Sequence, residues 1–356
     1  MQAPEIINAA VIGVGRMGRH HARNYAAIPG YKLVAVADLD PENAKTAAEA
    51  HGCRPFAGPA AVQDLMRWSK ETGTPVRAAT IAVPTLHHRA CAEQLIEAGA
   101  DVLIEKPLAA NVADAGAIVD LAKKHGRVLM VGHTERFNPA YRALRKYALT
   151  PAFIEVHRIS PMTFRSIDVG VVLDMMIHDI DIVNNLVKRP VTEVRAVGVG
   201  VIGKFEDVAN ARLTFDNGCV ANLTASRLAL RTERKMRLFS PTAYVSVDYQ
   251  KKSGAVITKT ANEKQLAFVR KEVAEGRITD LMQVNYQDYV KYEDLVVEES
   301  EPVRAELENF LAAIRTRGVG ENLPEVTGED GMTAVDIALK ITDCISKHKW
   351  EGVEPL

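Results

Sequence analysis

Two short segments carry the residues of this chain best placed to do chemistry. The first, Ala100-Asp-Val-Leu-Ile-Glu-Lys-Pro-Leu108, is an apolar strand that ends on Glu105, Lys106 and Pro107. The second, the stretch 171–187, sets Asp174, His178, Asp181 and Asn185 at i, i+4, i+7 and i+11, one narrow stripe of a helix. A histidine one helical turn from a carboxylate suits proton acceptance, because the carboxylate orients the ring and stabilises its protonated form. A lysine ammonium beside the same oxygen would stabilise developing alkoxide charge. Together Lys106, His178 and Asp174 suit the oxidation of a secondary alcohol, in which the hydroxyl loses a proton while its carbon gives up a hydride.

The stretch 171–187 is apolar around most of its circumference, which marks a buried helix. Buried carboxylates need partners, so the stripe must face a polar cavity, other charged groups or a ligand. Asp179 falls off the stripe and is read as solvated. A His/Asp pair bridging helix to sheet is the purely structural use of the same residues. Zinc is a third use, but no cysteine or second histidine nearby completes a ligand set, so no metal is expected.

A hydride needs an acceptor, and the segment Ala9-Ala-Val-Ile-Gly-Val-Gly-Arg-Met-Gly18 supplies the spacing G-x-G-x-x-G at Gly13, Gly15 and Gly18. It follows an apolar strand, 6–12, and opens a helix, 17–28, whose free N–H groups suit a pyrophosphate near Arg16 and Met17. About twenty residues past Gly18, a second strand ends on Asp38, whose carboxylate can accept from both ribose hydroxyls and would repel a 2′-phosphate. NAD is therefore the expected cofactor. Ile81-Ala-Val-Pro84-Thr85 leads to His87-His88 at another strand end where the cofactor should pass. Pro84, Thr85, Glu105 and Lys106 are expected to line its path. His88 is read as touching the nicotinamide ribose, or else as capping or packing a helix start. Arg136, Arg158 and Arg165 are candidates to hold an anionic substrate by bidentate hydrogen bonds, and Arg227, Arg231 and Arg234 border the same cleft. His20-His21 is read as structural, and His133 as equally a loop residue of no chemical role.

These groups must be positioned by a scaffold. Strands expected at 6–12, 32–37, 78–82, 101–104 and 128–131 alternate with helices, which implies a doubly wound parallel sheet covered on both faces, an α/β Rossmann arrangement with ligand at the strand carboxyl ends. After a helix at 138–147 the pattern changes. Strand-like runs at 153–159, 191–201, 209–215, 219–225, 235–239 and 243–247, with one long helix at 171–187, imply an α+β domain with a mostly antiparallel open sheet and helices on one face. Asp216-Asn-Gly218 is a hairpin signal between two of these runs. Helices at 302–316 and 329–348 should pack back across the interdomain region. The division is 1–133 for the dinucleotide-binding domain and 134–356 for the substrate-binding and oligomerisation domain.

The 356 residues suit two domains. With 47% hydrophobic and 25% charged residues the composition is that of an ordinary globular protein. The 44 basic and 45 acidic residues leave a net charge of −1, so nothing electrostatic points to nucleic acid or a membrane as partner. The four cysteines, Cys53, Cys91, Cys219 and Cys344, form no metal or redox spacing, and no secretory signal or membrane span is evident. A cytoplasmic location is expected. A sheet bare on one face favours self-association, so a homodimer or homotetramer is expected too.

With Gly13-Val-Gly-Arg-Met-Gly18, Asp38, Val83-Pro-Thr-Leu-His-His88, Glu105-Lys-Pro107, and Asp174 with His178 in view, the chain resembles the Gfo/Idh/MocA oxidoreductase family over nearly its whole length. That resemblance implies roles for Lys106 and His178 around the reacting carbinol, assisted by Asp174. One departure is Met176, where many members carry glycine two residues after the aspartate. The segment 158–181 is similar to a narrower group, the UDP-N-acetylglucosamine 3-dehydrogenases, which feed a 3-keto sugar toward amide-linked lipid A. The resemblance thus implies NAD-dependent oxidation of a sugar hydroxyl, at carbon 3 of a UDP-linked N-acetylhexosamine. A free cyclitol or monosaccharide dehydrogenase and a non-catalytic NAD-binding sensor are the alternatives.

Overall fold

The computed structural model describes residues 5–163, 169–278, 288–317 and 323–349. The amino-terminal half is built on six parallel strands: β1 (Ile7–Ile12), β2 (Tyr31–Asp38), β3 (Arg54–Ala57), β4 (Ala78–Ile81), β5 (Asp101–Glu105) and β6 (Leu129–Gly132). Their order is β3-β2-β1-β4-β5-β6, so the direction of winding reverses between β1 and β4. Helices α1 (Arg16–Ala27), α2 (Pro41–His51), α3 (Ala61–Glu71), α4 (His88–Glu97) and α5 (Val112–Lys124) form the crossovers. Strands β1, β4, β5 and β6 are almost wholly buried, as the run of Ala, Val, Ile and Leu requires where helices cover both faces. The crevice of such a sheet lies outside the strand carboxyl ends at the reversal, where Gly13, Val83 and Lys106 gather.

A short helix, α6 (Pro139–Leu144), leads to the second sheet. Its eight strands are β7 (Phe153–Ile159), β8 (Val191–Val199), β9 (Val208–Phe215), β10 (Val220–Ser226), β11 (Glu233–Phe239), β12 (Ala243–Asp248), β13 (Ser253–Lys259) and β14 (Val290–Asp294). The order is β14-β13-β12-β11-β7-β10-β9-β8, antiparallel except where β10 runs parallel to β7. Period-2 alternation assigns the faces. Ile154 and Val156 turn inward with Ala221, Leu223, Met236 and Leu238. Phe153, Phe239 and Tyr244 lie on the opposite face and stack on one another, with ring centroids 5.7 and 5.0 Å apart. The Asp216–Gly218 turn joins β9 to β10 as its sequence implies, with Gly218 at φ +82°.

Helix α7 (Ile177–Val187) lies across the inner face, α8 (Glu263–Ala274) has no buried residue, α9 (Pro302–Thr316) packs on α1, and α10 (Gly328–Lys347) runs from α5 to α7 and β8. Four elements depart from the sequence reading. Strand β3 is a four-residue edge carrying a proline, and β14 alternates charge rather than apolarity, as edge strands do. Strand β13 and helix α8 also lie in a stretch to which the sequence reading assigned no element. Among the described residues no helix is long and apolar enough to cross a membrane.

Candidate active site

The glycine-rich turn is shaped as its spacing implies. Gly13 sits at φ +83°, where a Cβ would also strike the Ala82 carbonyl oxygen at 2.7 Å. A Cβ on Gly18 would come within 1.8 Å of the Gly13 oxygen, so only glycine lets α1 approach β1 this closely. Gly15 faces open space, with nothing within 4 Å of a Cβ, and no side chain caps the helix that begins at Arg16 and Met17. That cradle and its unclaimed N–H groups fit a dinucleotide pyrophosphate. Asp38 ends β2 with its carboxylate fixed by the N–H groups of Val14 (2.7 Å) and Asp40 (2.9 Å), a placement at a strand carboxyl end that fits an acceptor for ribose hydroxyls.

Lys106 is held from three sides. Strand β5 is buried along its length, and the Glu105 carboxylate turns inward to accept from His21 Nε2 at 2.7 Å. Burial would raise Glu105, but His21 and Lys106 outweigh it and hold the carboxyl below its ordinary range. His88 Nε2 lies 2.9 Å from the Val83 carbonyl, and its Nδ1 lies 3.1 and 3.2 Å from those of Pro107 and Leu108. Glu105 and His88 are thus buried and engaged, one anchoring the strand end, the other tying the β4 and β5 loops together, which for His88 is the packing alternative of the sequence reading. Pro84 and Thr85 do open the short helical turn Thr85–His87 beside that clamp.

From this anchor the Lys106 side chain spans to the second half of the molecule. Its Nζ donates to the backbone oxygen of Asp174 at 2.6 Å and lies 3.3 Å from Asp174 Oδ1. Asp174 belongs to a π-helical turn, Val172–Met176, that precedes α7. The wider coil breaks the i, i+4 stacking expected of one regular helix, and π turns of this kind recur at functional sites. The start of the turn is fastened by Glu206, whose backbone oxygen accepts from Val171 N–H at 3.0 Å and whose Oε1 accepts from Val172 N–H at 3.2 Å.

The expected stripe is thus divided among different partners. Asp181 takes a bidentate bond from Arg136 at 2.6 and 2.7 Å, and Asn185 accepts from Tyr141 at 2.6 Å. Asp179, expected in solvent, is 2% exposed and bound bidentately by Arg158 at 2.8 and 2.7 Å. Arg227 pairs with Asp207 at 2.6 Å and donates to the Val169 carbonyl. Arg136 and Arg158 therefore do not present open forks to an anionic substrate; burial forces each onto a carboxylate of α7. Arg165 lies outside the described residues. Arg234 is different. It stands opposite Arg158 in the β11–β7 ladder, hence on the α7 face, yet its side chain is 44% exposed and only loosely held by Glu135 at 3.5 Å.

His178 is half-buried, with Nδ1 enclosed and unpartnered. Asp174 does not orient it, because that carboxylate is turned to Lys106. Burial pushes His178 well below the ordinary histidine range, and the cations Lys106, Arg158 and Arg234 push the same way. Both influences favour the neutral imidazole. Its ring neighbour is His133, at the end of β6, with centroids 6.1 Å apart and planes at 88°. The sequence left His133 without a role; its place directly after a strand that ends at the crevice was the available signal. Among the described residues no group of three or more His, Cys, Asp or Glu could hold a metal ion.

Known proteins resemble this chain in sequence and fold. Residues 7–133 match the GFO/IDH/MocA oxidoreductase family with its NAD-binding Rossmann fold, and residues 156–245 match the C-terminal domain of that group. The chain is 38% identical over 244 residues to UDP-N-acetylglucosamine 3-dehydrogenase of Acidithiobacillus ferrooxidans, covering 68% of this chain and 74% of that one. It is 28% identical over 237 residues to the NAD(+)-dependent scyllo-inositol 2-dehydrogenase of Bacillus subtilis, covering 62% and 67%. The solved structure of UDP-N-acetylglucosamine 3-dehydrogenase GnnA from Acidithiobacillus ferrooxidans superposes with a TM-score of 0.81 at 32% identity, over 95% of this chain and 97% of that one.

Proposed function

The chain belongs to the GFO/IDH/MocA oxidoreductase family, and on that premise we propose that it oxidises the carbon-3 hydroxyl of UDP-N-acetylglucosamine to a ketone. The observation that carries the reading is the meeting of Lys106, from the cofactor-side sheet, with the turn that bears Asp174 and leads to His178. NAD, held by the Gly13–Gly18 turn, the start of α1 and Asp38, supplies when bound the two-electron acceptor for the carbinol hydrogen. The protein's residues manage the proton and the oxygen. With Nδ1 enclosed, Nε2 of His178 is the nitrogen available to a substrate hydroxyl, and its depressed basicity keeps it unprotonated and ready to accept. Lys106 spends two of its three donors on Asp174 and has one left for the substrate oxygen, where it stabilises negative charge as the proton leaves. Asp174 fixes the ammonium rather than the imidazole. Arg234 is the exposed guanidinium on this wall and holds the diphosphate.

A free cyclitol is the second reading, favoured by the locked state of Arg136 and Arg158 and by the inositol dehydrogenase among the relatives. Incubating the protein with NAD and UDP-N-acetylglucosamine, and trapping ketone with hydroxylamine, should yield both the oxime by mass spectrometry and NADH by absorbance. Lys106→Met should lower that turnover by about 10²–10³-fold or more while cofactor binding persists. Neither signal from a protein that binds NAD, with turnover on inositols instead, would replace the first reading with the second.

A further inference from the structure

His133 is fully enclosed, and neither of its ring nitrogens has a partner. Its backbone is fixed, with N–H donating to the Val131 oxygen at 2.8 Å and the carbonyl accepting from Arg136 N–H at 2.9 Å. The ring is therefore placed firmly in a position where its polar atoms carry an uncompensated desolvation cost. Its aromatic neighbour, His178, also has a nitrogen, Nδ1, enclosed without a partner. The carboxylate that the spacing offered to His178 is committed to Lys106. Two rings with unmet hydrogen-bonding capacity thus stand edge to face, and no other described group supplies a partner to either.

We propose that His133 is the positioning residue for His178: it sets the orientation of the base and selects the tautomer that leaves Nε2 free. For Nε2 to take a hydroxyl proton, neutral His178 must carry its own proton on Nδ1, the enclosed nitrogen, with His133 as the neighbouring ring. No hydrogen bond joins the two rings at this spacing, so neutral His133 offers that N–H a ring face at rest and a lone pair once the site tightens around substrate. When the substrate O–H bond breaks and the N–H bond at Nε2 forms, His178 becomes an imidazolium with both nitrogens protonated. His133 then stabilises the Nδ1–H side without accepting the proton, which leaves later from Nε2 to solvent.

The surrounding charges agree with this division. The cations that face His178 are Lys106 after β5, Arg158 on β7 and Arg234 on β11, all opposing its protonation. Those that face His133 are Asp181 of α7 and Glu105 of β5, which favour a proton, and Arg136 and Lys106, which oppose one. Burial outweighs them and keeps His133 neutral. The base is thus backed by an uncharged acceptor in place of a carboxylate.

The proposal rests on His178 as the base, so the test includes a readout that needs no substrate. In ¹⁵N-histidine spectra of the whole protein, with His178 assigned through His178→Asn, the wild type should show the Nδ1–H tautomer. His133→Phe, which keeps a ring but removes both nitrogens, should give a mixture. In turnover, His133→Phe should lower kcat on the order of tenfold to a hundredfold, leave the KM for NAD within about twofold, and move the acid limb of the kcat/KM profile. His133→Gln should recover part of the rate. A wild-type His178 that carries its proton on Nε2 would overturn the proposal whether or not any variant folds. So would a His133→Phe protein with unchanged tautomer and unchanged pH profile, even if its rate were low.

Discussion

The two walls of the cleft treat polar groups in opposite ways. On the cofactor side, the start of α1 and the space over Gly15 are open, and Asp38 is oriented by backbone N–H groups while remaining half-exposed. On the α7 side, nearly every charge is closed off: Arg136 with Asp181, Arg158 with Asp179, Arg227 with Asp207. One wall is prepared for a ligand and the other is prepared to stay still. The difference shows that a polar residue in a cleft reports on binding only after its protein partners have been counted. The residues of the second wall that remain available, His178 and Arg234, stand out because their neighbours are spoken for, and Lys106 reaches them from the first wall.

The largest test of this contrast is stability on the closed wall. Asp181→Ala leaves Arg136, 1% exposed, with only the 3.6 Å approach of Asp330 to balance its charge, and should cost about 3–5 kcal/mol in urea unfolding. Arg158→Ala should also lower stability by several kcal/mol rather than act on substrate affinity alone. A loss below about 1 kcal/mol for both would mean that these pairs relax to solvent, and the distinction between the walls would fail.

Legibility in the sequence follows the same line. The cofactor wall was readable because backbone demands fix residue type: glycine at a positive φ and at a close helix approach, an acid at the end of β2, strands apolar on both faces. Lys106 was readable for the same reason, as the charged end of a buried strand. The strand end itself was not fully readable, since spacing cannot tell that Glu105 turns inward to His21 or that His88 is consumed by three carbonyls. On α7 the 3.6-residue repeat misassigned Asp174 and Asp179, because the π turn changes the phase and the arginines that neutralise the helix come from β7 and the 134–137 turn. Strand β14 escaped because an edge strand carries charge where a central one carries apolar residues.

A smaller effect separates the open arginine from the locked ones. Arg234 is tied only through a 3.5 Å approach to Glu135, so Arg234→Ala should change stability by no more than about 0.5 kcal/mol. If it holds the diphosphate, the same variant should raise the KM for a UDP-sugar by roughly tenfold to a hundredfold, the worth of about 1.5–3 kcal/mol for a charged hydrogen bond. Unchanged KM for the UDP-sugar would remove Arg234 from the substrate site. A loss shared by free sugars would point to an effect on His178 through charge instead.

The smallest expected effect concerns Glu306 of α9, which brings a second carboxyl into the fully buried neighbourhood of Glu105. Burial pushes Glu306 well above its ordinary range, Glu105 adds to the rise, and a long hydrogen bond from Thr134 only partly opposes it. A group whose folded pKa is raised contributes stability that is complete below its unfolded value near 4.5 and is lost as pH rises through the folded value. Glu306→Gln keeps the shape and the neutral state but cannot ionise. It should match the wild type near pH 4 and become the more stable protein by about 1 kcal/mol toward pH 8, read from thermal melts across that range. A variant that is less stable at every pH would show that Glu306 is ionised in the fold. The buried site behind Lys106 would then hold two neighbouring carboxylates, with Glu105 paired to His21, rather than one carboxylate and one neutral acid.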